Sequence, residues 1–137
     1  MFDLDLCLTV VLCGTDEQIQ TGIVRFDRAL PGLTVTRATG FWQGESETNV
    51  LVSHWDRTDR PAVVQTFLRL AHEYGEYASQ QAVFVTVQGP ATGAWVLGTS
   101  DLAAWETAFQ ELQHVACPGL ALAEYFTREN ELIERLF

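Results

Sequence analysis

Apolar and polar positions alternate most clearly between Leu33 and Trp55, and this stretch predicts a β-hairpin. Leu33, Val35, Thr39 and Phe41 fall on one side of its first arm, and Arg37 breaks into that same side. A polar, glycine-bearing bend is expected over Gln43–Asn49. In the second arm Val50 and Val52 share a face with His54, while Leu51 shares the other with Trp55.

The flanking segments follow the same two periods. Leu4 to Cys13 reads as a first strand with Leu4, Leu6, Leu8, Val10 and Leu12 on one face. Cys7, Thr9, Val11 and Cys13 lie on the other. Both faces are mostly apolar, which suits a central strand. Thr15-Asp16-Glu17-Gln18 is a capping-box pattern, and Ile19, Ile23, Phe26 and Leu30 recur at helical spacing after it. A helix is therefore expected over 16–30, stopped by Pro31-Gly32. A second helix opens after Asp59 with Pro61 in its first turn and a stripe of Val64, Phe67, Leu68, Ala71 and Tyr74, weakened by Gly75 near its end. A strand follows over 81–87.

The order is β-α-β-β-α-β, which predicts an α+β, ferredoxin-like antiparallel sheet with two helices on one face. The remaining residues predict a C-terminal β-α-β-α extension. It comprises a turn at Gly89–Gly93, a short strand over 94–97, and a helix from Ser100-Asp101 carrying Leu102, Trp105, Phe109 and Leu112. A strand at Leu120–Phe126 and a short terminal helix complete it, the alternative for this last part being one continuous helix. The chain is expected to form a single domain over 1–137, with the core at 4–88 and the extension at 89–137 packed on it.

At 137 residues and 47% hydrophobic content, such a chain buries enough surface to fold without a disulfide or a metal. Eighteen acids face eight basic residues, all of them Arg, for a net charge of -10. That sign repels a phosphate backbone and argues against direct nucleic-acid binding. The acids are spread along the chain, as a solvated surface requires; an acidic face for a basic protein partner, or for DNA mimicry, is the sharper alternative. Cys7, Cys13 and Cys117 have no paired spacing and read as reduced thiols in a cytoplasmic protein. The acidic start MFDLDL does not resemble a signal peptide, and no apolar run approaches a membrane span.

Residues Pro31, Gly32, Leu33, Thr34 and Val35, then Gly40, Trp42, Glu47 and a Gln at 80 or 81 before Val83, form a pattern. It resembles an uncharacterised bacterial domain-of-unknown-function family, over about residues 6–88. The chain departs from that pattern with Leu30 in place of an aromatic, with no residue between Pro31 and Gly32, and with its long C-terminal extension. The resemblance implies a ferredoxin-like fold and no particular activity.

No nucleophile elbow, phosphate loop, dinucleotide fingerprint or zinc spacing occurs. His54, His72 and His114 fall on three different elements, so neither a metal nor a cofactor is expected. The candidate binding residues cluster in the hairpin: Arg37, Trp42, Glu45, Glu47, His54 and Trp55. Arg37 suits an anion, Trp42 a ring, the two acids proton transfer or surface solvation, and His54 proton movement near neutrality.

A ferredoxin-like sheet leaves one face bare of helices, and four Trp, eight Phe and three Tyr exceed what so small a core absorbs. A homodimer is expected on that ground. The leading functional reading is a non-enzymatic binding or interaction module for a small molecule or a protein partner. The alternative is a small cofactor-free enzyme of the dimeric α+β barrel type, using His54 with Glu47 or Glu45. That enzyme needs these side chains to converge in one pocket.

Overall fold

A computed structural model describes residues 4–116, except Asp59, and at Trp42 the backbone only. Eight elements follow one another: β1 (Leu6–Cys13), α1 (Asp16–Ala29), β2 (Leu33–Trp42), β3 (Glu45–Asp56), α2 (Pro61–Tyr77), β4 (Ala82–Gln88), β5 (Thr92–Gly98) and α3 (Leu102–Ala116). The strands form one five-stranded sheet in the order β2-β3-β1-β4-β5. Every neighbouring pair is antiparallel. This is an α+β architecture, with the expected first six elements in the expected order. Of the C-terminal extension, β5 and α3 are present; the strand and helix expected at 120–137 lie outside the described residues.

The local signals acted as their chemistry dictates. Thr15 caps α1 with both bonds of the capping box, its hydroxyl accepting from the Gln18 N–H at 3.1 Å and its own N–H donating to the Gln18 side chain at 3.0 Å. Pro61 opens α2. Gly75 lies near the end of that helix, as expected, and a Cβ there would come within 2.8 Å of a Val83 methyl. The small residue lets α2 approach β4, and packing on the sheet offsets its poor propensity.

The hairpin bend is tighter than the pattern of polar residues suggested. It is a two-residue turn at Gln43-Gly44, with φ of 50° and 82°, and Trp42 already pairs with Glu45. Positive φ at both central residues is the turn whose twist matches the flanking strands, and glycine adopts it without strain. The residues from Glu45 to Thr48, expected in a bend, are therefore strand. Only Asn49–Asp56 of β3 pairs with β1, so the end of the hairpin runs past the sheet as a two-stranded arm.

One face of the sheet carries Leu6, Leu8, Val10 and Leu12 of β1, Val50 and Val52 of β3, and Val83, Val85 and Val87 of β4, all buried. The helices cover this face. Phe26, Phe67, Leu68, Trp105, Phe109 and Leu112 fill the layer between. Phe26 meets Phe67 edge to face at 5.5 Å, and Trp105 donates its indole N–H to the Gly98 carbonyl at 2.9 Å. His72 sits against Trp105, with Nε2 facing the Thr99 carbonyl at 3.2 Å and Nδ1 facing the Glu76 carboxylate at 3.0 Å. Among the described residues no helix is long and apolar enough to cross a membrane.

Candidate functional site: the open sheet face

The residues pointing away from the helices define the second face. They are Cys7, Thr9, Val11 and Cys13 on β1, Asn49, Leu51, Ser53 and Trp55 on β3, and Ala82, Phe84, Thr86 and Gln88 on β4. The β2 row of Thr34, Thr36 and Ala38 and the β5 row of Thr92, Ala94 and Val96 flank them. No residue in these rows is charged, in a chain that is 19% charged. The face is also partly apolar in the open: Val96 is 70% exposed, Trp55 48% and Phe84 40%. Its polar side chains are partly self-satisfied, since the Thr9 and Ser53 hydroxyls bond each other at 2.9 Å.

Where β1 ends and β4 begins, this face deepens into a cleft of about 510 Å³. Val11, Ala82, Phe84 and Val96 form its apolar walls, the Ser79–Gln81 segment forms one rim, and Cys13 and Glu47 supply polar groups. Glu47 reaches it because β3 continues past its pairing with β1, so the arm overhangs the end of the sheet. Burial pushes the Cys13 thiol up to about 11, and the Glu47 carboxylate adds to this by its charge and as a hydrogen-bond acceptor. Cys13 is therefore a neutral thiol at neutral pH, unsuited to nucleophilic attack. The backbone behind it is held by Tyr74, whose hydroxyl donates to the Cys13 carbonyl at 2.6 Å; burial, with Cys13 and Tyr77 nearby, pushes that phenol up to about 12.

The hairpin residues singled out by the sequence divide between the two faces. Glu45, Glu47 and Trp55 lie on the open side, as does the β2 position of Trp42 by its pairing with Glu45. Arg37 and His54 lie on the helix side, opposite Val50 and Leu33 respectively. The expected convergence of His54 with Glu47 or Glu45 is not formed. An odd–even difference along one strand puts the side chains on opposite faces, and no substrate touches both through the sheet.

His54 belongs to a different cluster. It is 4% exposed, and its Nε2 is 2.8 Å from the Asp56 carboxylate two residues on, on the same face. The Arg57 backbone N–H donates to Asp56 at 2.8 Å and the Arg60 guanidinium at 3.2 Å. Burial pushes the Asp56 carboxyl up, but the Arg57 N–H, the bond from His54 and the charge of Arg60 outweigh it and hold it below the usual carboxylate value. This cluster anchors the end of β3 to the start of α2, and the Thr58 N–H and hydroxyl on Asp5 continue it at 3.1 and 3.2 Å. Among the described residues no group of His, Cys, Asp and Glu is placed to hold a metal ion.

Cys13, Phe84 and Val96 were not sequence candidates. Each reads locally as an ordinary strand residue; they become neighbours only because β1 pairs with β4 and β4 with β5.

No family model matches the chain, and no curated protein matches it. Solved structures of similar fold are a phage SAM lyase without ligand, at TM-score 0.54 and 17% identity over 72% of this chain and 94% of that one, and a phage SAM lyase in complex with S-methyl-5′-thioadenosine, at TM-score 0.54 and 15% identity over 72% and 93%. CutA from Synechococcus elongatus aligns at TM-score 0.44 and 15% identity, over 80% of this chain and 94% of that one.

Proposed function

We propose that this chain is a non-enzymatic, ferredoxin-like binding module that pairs with a second copy through its open sheet face and takes a small molecule in the cleft at the end of that face. The observation that carries the reading is the uncharged face itself, with the cleft set into it. A net charge of -10 opposes self-association; keeping charge off the strand rows of the sheet proper confines the open side's carboxylates, Glu45 and Glu47, to the overhanging arm and lowers the repulsion at the surface that would meet its copy. Five strands at ~4.8 Å spacing and seven residues at ~3.4 Å rise make a patch of about 600 Å² before side-chain relief is added. That approaches the ~800 Å² per partner of a stable interface.

The cleft has the features of a ligand site: concave, walled mainly by apolar side chains, and with few polar groups. Its one carboxylate favours a ligand with a donor or a positive centre, and Phe84 offers a ring face. A compact heterocycle with an apolar arm suits that lining. The phage SAM lyase bound to S-methyl-5′-thioadenosine makes this adenine thioether the first compound to try.

Native mass spectrometry of protein purified from its own host reads both halves of the proposal. The expected spectrum shows twice the 15.3 kDa chain mass with a retained small molecule. Added S-methyl-5′-thioadenosine is expected to raise the melting temperature, by an amount equivalent to ~2.7 kcal/mol at a hundredfold excess over Kd. Glu47→Gln and Phe84→Ala should each remove the shift. A bare monomer with no thermal response to the compound would overturn the proposal.

A further inference from the structure

A second cleft, of about 370 Å³, lies on the helix side between α1 and the β2–β3 hairpin. It exists because α1 stops short of the outer strand, which leaves Val35 43% exposed although it points to the core side. Ile23, Val35 and Val50 form an apolar strip on its floor, and Gln20 and Thr48 add uncharged polar groups beside it. Its walls carry opposite charges: Asp16 and Glu17 on α1, Arg37 on β2. The acids sit in the first turn of α1, where the helix dipole favours them. Arg37 is the residue that interrupts the apolar side of β2, and no local role accounts for it. It forms no ion pair with either acid, and no other described residue pairs with it.

Opposite charges facing across an apolar floor, without closing on each other, match a ligand that carries both charges on one small centre. We infer that this cleft binds a free α-amino acid with an apolar side chain. Its carboxylate meets the Arg37 guanidinium, whose fork accepts a carboxylate through two parallel hydrogen bonds. Its ammonium meets Asp16 and Glu17. Its side chain covers Val35 and Ile23, removing from water the apolar surface that α1 leaves bare. The inference does not depend on the open-face proposal, since the two clefts lie on opposite sides of the sheet.

The test is a ¹H–¹⁵N NMR titration of the full chain with L-leucine, against leucinamide, which lacks the carboxylate, and N-acetyl-leucine, which lacks the ammonium. Leucine is expected to give saturable shifts confined to residues 16–23 and 35–50. Each analogue should bind at least about tenfold more weakly, the worth of one charged hydrogen bond. Arg37→Gln and the double variant Asp16→Asn/Glu17→Gln, all on exposed side chains, should leave the rest of the spectrum unchanged and abolish the leucine response. No saturable shift up to about 10 mM leucine, an equal response to both analogues, or undiminished binding by Arg37→Gln would each overturn the inference.

Discussion

Trp55→Glu tests the proposed pairing most directly. Trp55 lies on the open face opposite Cys7, away from the cleft, with 48% of its surface in water. About half of a ~250 Å² side chain is then ~120 Å², and burying it against a partner contributes ~3 kcal/mol at ~25 cal/mol/Å². A symmetric dimer holds two copies of the residue, so the substitution removes ~6 kcal/mol and weakens association by about 10⁴-fold. The new carboxylates, unpaired at the interface, add to the loss. A matched control is available. Leu102 is also 48% exposed but opens α3 in the helical layer, so Leu102→Glu should leave association intact. Sedimentation velocity across a range of concentrations reads both variants, and urea unfolding of the dilute monomer checks that each still folds. The reasoning fails if Trp55→Glu associates as tightly as the unmodified chain, or if Leu102→Glu weakens association as much.

Two further outcomes follow from the ionisable groups. Glu47→Gln should bring the Cys13 thiol down from about 11 towards its ordinary 9.0 without reaching it, because burial, the larger cause, remains; thiolate absorbance against pH measures this, and an unmoved value would separate the two residues. Asp56→Asn should destabilise the fold by about 2–3 kcal/mol in urea melts, chiefly through the buried bond to His54, since the Arg60 partner is 59% exposed and contributes little. The folded Asp56 carboxyl titrates below its ordinary value of 3.8, so its contribution is present above that pH and is lost as pH falls through the depressed folded value. The gap between Asp56→Asn and the unmodified chain should accordingly close in acid; a gap that persists at low pH would refute the charged role of Asp56.

How far the site was legible can be traced residue by residue. Strand parity along β3 separated His54 from Trp55, but Glu45 and Glu47 were expected in a bend, where parity assigns no face, so their separation from His54 became visible only once β3 was seen to start at Glu45. Asp56, the residue His54 does meet, was open to reading, being two positions on along the same strand face. Aromatic surplus over the core was expected from the count alone, without naming its residues; Trp55 and Phe84 are the ones left exposed on the face without helices. The cleft was not foreseen, because it joins β1, the overhanging arm of β3 and the start of β4 through pairings between distant segments.

What this sequence determined by itself is therefore local and periodic. Thr15 and Gln18 start a helix through bonds three residues apart, Gly44 turns a hairpin because of its own φ, and alternation assigns every strand residue to one of two faces. These depend on neighbours within a few positions, so their energetics are written in the local chain. The tertiary structure decided which face each strand shares with which other strand, that the arm runs beyond the sheet, and that α1 falls short of β2. Those outcomes depend on register between distant segments and on how far three helices reach across five strands. They are set by packing of the whole core, and both clefts, one over Phe84 and one beside Arg37, are products of that packing alone.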